Sequence, residues 1–298
     1  MDWDESPIRN ISDTALWTAA YRADESDRAD ALFHDPYARL LAGERGRECA
    51  RRVEQPAVRW AVVLRTVVLD ELILAAVRQQ GCDVVVDLAA GLDTRPYRLD
   101  LPADLRWIEI DLPGLVEYKE EALRSVLPCC AVERRSLDLT DRAARKRALS
   151  EIGASGSRVL VVTEGLVGYL TSAAVAELAE DLYAQPAITS WLTNLIGAGM
   201  ASRMQDALDQ LEASSSTVTF APKDGPGFFL PYGWVAGEVR DLLDEATGRD
   251  RLPVLDRPPR REGPGTERTA YPPGTVVARL DRARPGSVLH HFAGHRPR

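Results

Sequence analysis

Cationic residues are in deficit: 37 Lys and Arg stand against 45 Asp and Glu, for a formal net charge of −8. Sequence-independent nucleic-acid binding needs a basic surface, and an anionic bilayer repels an acidic one, so both partner classes are disfavoured. Long apolar runs are missing as well. The most apolar stretch, residues 60–77, is interrupted by Arg65, Asp70 and Glu71 and cannot span a membrane. The opening Met1-Asp-Trp-Asp-Glu-Ser is acidic and polar, unlike a secretory leader. There are only four cysteines (Cys49, Cys82, Cys129 and Cys130), with no C-x-x-C spacing and two of them adjacent, which is poor geometry for mutual bridging. A cytoplasmic protein with reduced thiols is expected. Histidine is equally scarce, at His34, His290, His291 and His295. The pair His291-x-x-x-His295 has metal-ligand spacing but no matching cysteine or second pair, so no metal site is expected. No Ser/His/Asp array and no internal repeat are evident.

What remains is an ordinary globular composition, 45% apolar and 28% charged over 298 residues, enough for one large α/β domain with a real core. Residues 11–80 read as helical. Ala15, Leu16, Ala19 and Ala20 recur at helical spacing behind Ser12 or Asp13 as a cap, Asp35-Pro36 suits a helix start, and an amphipathic segment over 57–80 is closed by Gly81. Strands are then expected over 84–88, 106–112, 132–137, 158–164 and 188–195, alternating with helices over 115–126, 141–152 and 172–183. That order implies a doubly wound, mostly parallel sheet. Beyond Gly199 the pattern predicts a helix over 200–213, a turn-rich tract over 214–233, a short amphipathic helix over 235–246 and an Arg/Pro-rich loop over 249–274. Two closing strands, over 275–280 and 287–292, would complete a seven-stranded α/β sheet. The expected organisation is an N-terminal helical cap over 1–80, a core over 81–199, an insertion over 200–274 and closing strands over 275–298, all in one structural domain.

The chemistry gathers around residues 84–99, where a buried β-branched strand runs into the small turn Ala89-Ala90-Gly91. A nicotinamide dinucleotide would call for G-x-G-x-x-G here, and only one of those three glycines is present. A cofactor without phosphates needs only close backbone approach, which Ala and Gly permit. The alternative is a tight strand–helix junction with no ligand. Asp111 lies twenty positions after Gly91 at the end of the second strand, where a carboxylate can accept from ribose hydroxyls. Glu109, two residues earlier, is a weaker candidate on the same side. Asp138, followed by Leu139, could accept from an adenine amine while the leucine packs the ring, or could merely cap the next helix. Glu164-Gly165, after the fourth strand, could hold an amino group.

These segments, V-V-D-L-A-A-G-L-D-T-R-P-Y-R-L, W-I-E-I-D-L-P, L-D-L-T-D and T-E-G-L-V-G-Y-L, resemble the successive motifs of the leucine carboxyl methyltransferase-like family over roughly residues 15–195. The N-terminal Ala20-Tyr-Arg-Ala-Asp-Glu, Phe33-His-Asp-Pro-Tyr-Ala and Leu64-Arg-Thr are similar to that family's preamble. The resemblance implies a class I, Rossmann-like fold and an S-adenosyl-L-methionine cofactor. It matches Arg22 and Arg65 to cofactor contacts, with Arg65 on the methionine carboxylate. It also matches Ala89 and Gly91 to the turn, Asp111 to the ribose, Asp138 and Leu139 to the adenine site and Glu164 to the acid after strand four. Ala89 departs from the family, which has glycine there. Without the resemblance, Arg22 and Arg65 would read as surface arginines snorkelling from amphipathic helices. The implied reaction is O-methylation of a small-molecule or peptide carboxylate, natural-product or polyketide-like. Hydroxyl methylation and a catalytically silent cofactor-binding protein are the alternatives. Tyr169 would orient the acceptor oxygen or be a core tyrosine. The aromatic run over 228–234 would be a packed corner or, lining the pocket, would favour a flat or apolar acceptor.

Overall fold

The protein is described by a computed structural model covering residues 9–53, 55–156, 158–211, 217–251 and 274–283. Seven strands form one sheet in the order β3-β2-β1-β4-β5-β7-β6. They are β1 (Val84–Leu88), β2 (Arg106–Asp111), β3 (Ala131–Ser136), β4 (Val159–Thr163), β5 (Ile188–Leu195), β6 (Trp234–Asp241) and β7 (Val276–Arg282). The first five pair in parallel, and β7 inserts antiparallel between β5 and β6. This is the expected doubly wound, mostly parallel α/β sheet with one antiparallel strand.

β1 and β4 are buried along their whole length because helices cover both sheet faces. The side chains of β1 divide between two cores. Val84, Val86 and Leu88 meet Leu149 and Ile152 of α6 (Arg142–Ser155) and Val175, Leu178 and Leu182 of α7 (Ser172–Tyr183). Val85 faces Leu64, Val68, Leu72 and Ile73 of α3 (Pro56–Gln80). α3 starts with proline in its first turn and stops at Gly81, whose φ of 69° only glycine adopts cheaply. α1 (Arg9–Ser26) and α2 (Ala38–Arg52) pack on each other ahead of α3. Gly46 makes that approach possible, since a Cβ there would lie 2.5 Å from the Leu16 carbonyl oxygen. Short α4 (Arg95–Arg98), which the sequence did not announce, follows β1. α5 (Pro113–Leu123) follows β2, α8 (Ala198–Asp209) follows β5, and α9 (Leu242–Gly248) follows β6.

One assignment is corrected. Residues 235–241, expected to be the first half of a helix, form the edge strand β6, and only Leu242–Gly248 is helical. Val235, Val239, Leu242 and Ala246 are spaced as on one helix face, so the apolar period ran straight through a strand–helix junction. Asp241 marks that junction by capping α9 through the Leu243 and Asp244 amides. The first closing strand is β7. The second, expected over 287–292, and residues 252–273 of the expected loop lie outside the described residues. No helix among the described residues is long and apolar enough to cross a membrane.

Candidate functional site

A cavity of about 530 Å³ opens at the carboxyl ends of β1, β2 and β4. It lies where the helices following neighbouring strands diverge to opposite faces of the sheet, the usual place for a ligand in this architecture. Its volume falls within the roughly 300–1,000 Å³ of small-molecule clefts. Arg22, Arg65, Ala89, Gly91, Asp111, Asp138, Leu139, Glu164 and Tyr169 all line it. Glu109 does not: it is buried against Lys119 at 2.9 Å and Arg134 at 2.8 Å, an internal ion cluster behind β2.

The floor is the turn after β1. The Ala89 and Ala90 amides donate to the Ile110 carbonyl at 2.8 and 3.3 Å, tying the turn to β2. Ala89 itself is left-handed, with φ of 56°, a conformation that costs a residue bearing a Cβ. Gly91 takes φ of 47° and donates its amide to Asp111 Oδ2 at 2.6 Å, while the Leu112 amide donates to Oδ1 at 2.7 Å. Burial pushes the Asp111 carboxyl up and these two amides pull it back. Each oxygen retains acceptor capacity toward the cavity.

At one end of the cavity, Asp138 Oδ1 accepts from the Thr140 amide and hydroxyl at 2.8 and 2.7 Å. Asp141 caps α6, so Asp138 does not serve as that cap. The Leu139 carbonyl is held by Arg145 Nη1 at 2.6 Å, and Arg145 is in turn held by Asp181 at 2.7 Å.

At the other end lies an ion network that local sequence reading did not reveal. Arg22 pairs with Asp35 at 2.9 Å and donates to the Leu92 carbonyl at 2.6 Å, so it is no snorkelling surface residue. Asp35 faces Arg98 at 3.9 Å, and Arg98 contacts Asp70 at 2.6 Å. Asp70 also takes Arg95 at 2.6 Å, and Arg95 reaches Asp93 at 2.5 Å and Glu164 at 2.7 Å. Arg65 closes the chain on Glu164 at 2.7 Å. Four arginines thus balance four carboxylates. Burial alone would raise Glu164, but Arg95 and Arg65 overcome it and hold the carboxyl down at about 2. Asp93 is also lowered: Arg95 outweighs its burial. Asp87, at the cavity floor, is pushed up by burial and by neighbouring Asp93, and its Oδ2 is buried with no partner. The available signal for this network was the charge density of Asp93-x-Arg95-x-x-Arg98 directly behind the cofactor turn.

Beyond Arg65 the wall becomes apolar. Trp17, Val58, Val62 and Met204 line the cavity and belong to one buried cluster against which Tyr169 packs. The Tyr169 hydroxyl has no hydrogen-bond partner among the described residues, and burial raises its pKa although Arg65 opposes this. The aromatic run over 228–234 does not line the cavity. Phe228 and Phe229 pack with Phe220, and Phe229 and Trp234 with Trp191, as a core corner. No group of three His, Cys, Asp or Glu among the described residues could hold a metal ion. His34 is exposed, and His290, His291 and His295 lie outside the described residues.

The donor set suits a nucleoside carrying a zwitterionic amino acid. An acid at the end of β2 can take a diol, the Asp138–Leu139 loop offers an acceptor beside an apolar side chain, and the Arg65–Glu164 pair presents one charge of each sign. A pyrophosphate is poorly served, because the nearby arginines Arg22, Arg95 and Arg98 are already paired with carboxylates.

The profile of the leucine carboxyl methyltransferase family matches residues 15–183. A protein of Streptomyces avermitilis named as an S-adenosyl-L-methionine-dependent methyltransferase is 32% identical over 264 residues, covering 85% of this chain and 92% of the relative. A similarly named protein of Frankia alni is 32% identical over 270 residues, with 85% and 91% coverage. Among solved structures, a DUF574 family protein of Streptomyces avermitilis superposes with a TM-score of 0.57 at 14% identity, covering 92% of this chain and 100% of that one. A Thermobifida fusca protein described as a methyltransferase gives a TM-score of 0.55 at 17% identity, covering 83% and 93%. These two likenesses concern the fold.

Proposed function

Because this chain belongs to the leucine carboxyl methyltransferase family and is an S-adenosylmethionine-dependent methyltransferase, we propose that it is an O-methyltransferase esterifying a carboxylate of a small, natural-product-like acceptor. The observation that carries this reading is that, among the described residues, no side chain free to act as a base lies where the acceptor would sit. Around Tyr169 the described wall is Trp17, Val58, Val62, Leu170 and Met204, and the tyrosine's raised pKa keeps it protonated at neutral pH. An alcohol or phenol would need its proton removed, whereas a carboxylate arrives ionised.

In this reading Asp111 holds the ribose, Asp138 and Leu139 hold the adenine, and Gly91 with Ala89 lets the ligand approach the backbone. Glu164 takes the amino group and Arg65 the methionine carboxylate. Arg22, through the Leu92 carbonyl, fixes the far side of the turn. When bound, the cofactor would supply a sulfonium methyl that an ionised acceptor oxygen can take while the C–S electron pair stays with sulfur, so no proton would need to be removed. The protein contributes alignment and exclusion of water. The Tyr169 hydroxyl donates to the acceptor carboxylate, and Arg65 beside it favours the anion. The acidic chain and its free cysteines accord with a cytoplasmic enzyme whose acceptor is neither nucleic acid nor membrane.

Calorimetry with S-adenosylmethionine and with a nicotinamide dinucleotide tests the cofactor assignment. Binding of the former alone, lost in Asp111→Ala, is expected. Transferred methyl label should be released by mild base, as from an ester, and a base-stable ether would overturn the carboxylate reading.

A further inference from the structure

Building on the carboxylate reading, we propose that the acceptor is an apolar monocarboxylic acid, with a single charged group beside Arg65 and Tyr169 and an uncharged aliphatic or aromatic body against Trp17, Val58, Val62 and Met204. The charge distribution along the cavity carries this. The cofactor half holds Arg22, Arg95, Arg98, Asp93, Asp111 and Glu164, whereas among the described residues the half beyond Arg65 has no charged side chain. Its wall comes from three helices, α1, α3 and α8, whose facing side chains form one buried apolar cluster.

Two polar side chains at its border are already committed. The Thr18 hydroxyl donates to the Ala15 carbonyl at 3.0 Å, and the Thr219 hydroxyl donates to the Leu170 carbonyl at 2.7 Å. The Thr219 amide is taken by the Gly168 carbonyl at 2.9 Å. The Tyr169 hydroxyl and the buried Trp17 Nε1 have no partner among the described residues, and neither does most of Arg65. Arg65 spends only Nε on Glu164, leaving both terminal nitrogens without a partner among the described residues. With Arg65 bonded to the methionine carboxylate, an acceptor anion still meets the Arg65 charge and the unpartnered Tyr169 hydroxyl at this end, and only the Trp17 indole N–H deeper in. A second carboxylate, an ammonium group or a run of peptide amides would lose its water there with at most the Trp17 N–H in exchange. A hydrocarbon or aryl body loses nothing of the kind and gains from leaving water.

The test is a competition of matched acids, read as methyl ester by mass spectrometry with saturating S-adenosylmethionine. Hexanoic acid is compared with hexanedioic acid, 3-phenylpropionic acid with 3-(4-carboxyphenyl)propionic acid, and both monoacids with a tetrapeptide ending in leucine. Each monoacid is expected to exceed its diacid and the peptide in kcat/KM by about tenfold or more. Met204→Trp, which fills the apolar half, should depress the monoacids by a similar factor while calorimetric affinity for S-adenosylmethionine is unchanged. Diacids or the peptide turning over as well as the monoacids would overturn the proposal and leave the carboxylate reading standing. So would indifference of the monoacids to Met204→Trp in a variant that still binds cofactor. If S-adenosylmethionine binds and phenols are methylated in place of every acid, the carboxylate reading itself has failed.

Discussion

Arg95 is the hinge of the ion network, and Arg95→Met isolates its contribution with little change in side-chain length. The guanidinium is only 2% exposed and touches three carboxylates, Asp70 at 2.6 Å, Asp93 at 2.5 Å and Glu164 at 2.7 Å. In the variant Asp70 keeps Arg98 and Glu164 keeps Arg65, but Asp93 retains only the backbone amide of residue 95. Removing one partner from a buried ion cluster costs about 3–5 kcal/mol. For a chain of this size that corresponds to a fall in Tm of about 5–8 °C. The loss should depend on pH in a defined direction. Glu164 is depressed in the folded state to about 2 from an ordinary 4.5. Its contribution is therefore complete above the unfolded pKa and disappears as pH falls through the folded one. That depression is worth about 3 kcal/mol near neutrality. Wild type loses it between about pH 5 and pH 2, whereas the variant, with Glu164 closer to its ordinary value, has less to lose. Urea unfolding of both proteins at pH 7, 5 and 3.5, followed by tryptophan fluorescence, should show the stability gap narrowing as pH falls. A gap below about 1 kcal/mol at pH 7, or one constant down to pH 3.5, would refute the reasoning.

Ala89→Gly should stabilise the protein. Left-handed alanine costs about 1–2 kcal/mol and glycine's extra unfolded-state entropy returns about 0.4–1, so a rise in Tm of about 1–2 °C is expected by calorimetry, without loss of cofactor affinity. Arg145→Met should free the Leu139 carbonyl and raise KM for S-adenosylmethionine about tenfold with kcat nearly unchanged, in steady-state kinetics. A drop in Tm with KM unaltered would reduce Arg145 to a structural residue tying α6 to α7.

The central sheet was legible because its strands are short β-branched or mixed apolar runs separated by clear helix caps and turns. Thr171 caps α7 through the Ala174 amide, and Asp141, expected as the first residue of α6, caps it through the Ala144 amide. The sequence misled at β6, an edge strand carrying Glu238 and Arg240, whose apolar positions continue in helical phase into α9. The residues around the cavity were legible individually, at strand ends and in one turn, because topology fixes where strand ends go. The ion network was not. Asp35 precedes α2, Asp70 lies on α3, and Asp93, Arg95 and Arg98 lie in and just before α4, and each alone looks like an ordinary surface charge. Only the docking of α1 and α3 over the turn after β1 makes them one buried array. Arg22 shows the difference most clearly: its partners are Asp35, thirteen residues away, and the Leu92 carbonyl, seventy residues away.

The placement of Trp17 and Tyr21 has a consequence for how the protein is born. Both lie in a cluster completed by Met204, Ala207, Leu208 and Leu211 of and just after α8. At about 5–20 residues per second, a ribosome makes α1 roughly ten seconds or more before α8 exists. During that interval the α1 aromatics have α2 and α3 to lean on, but not their final wall. The helical cap is therefore synthesised early but completed only once α8 has been made.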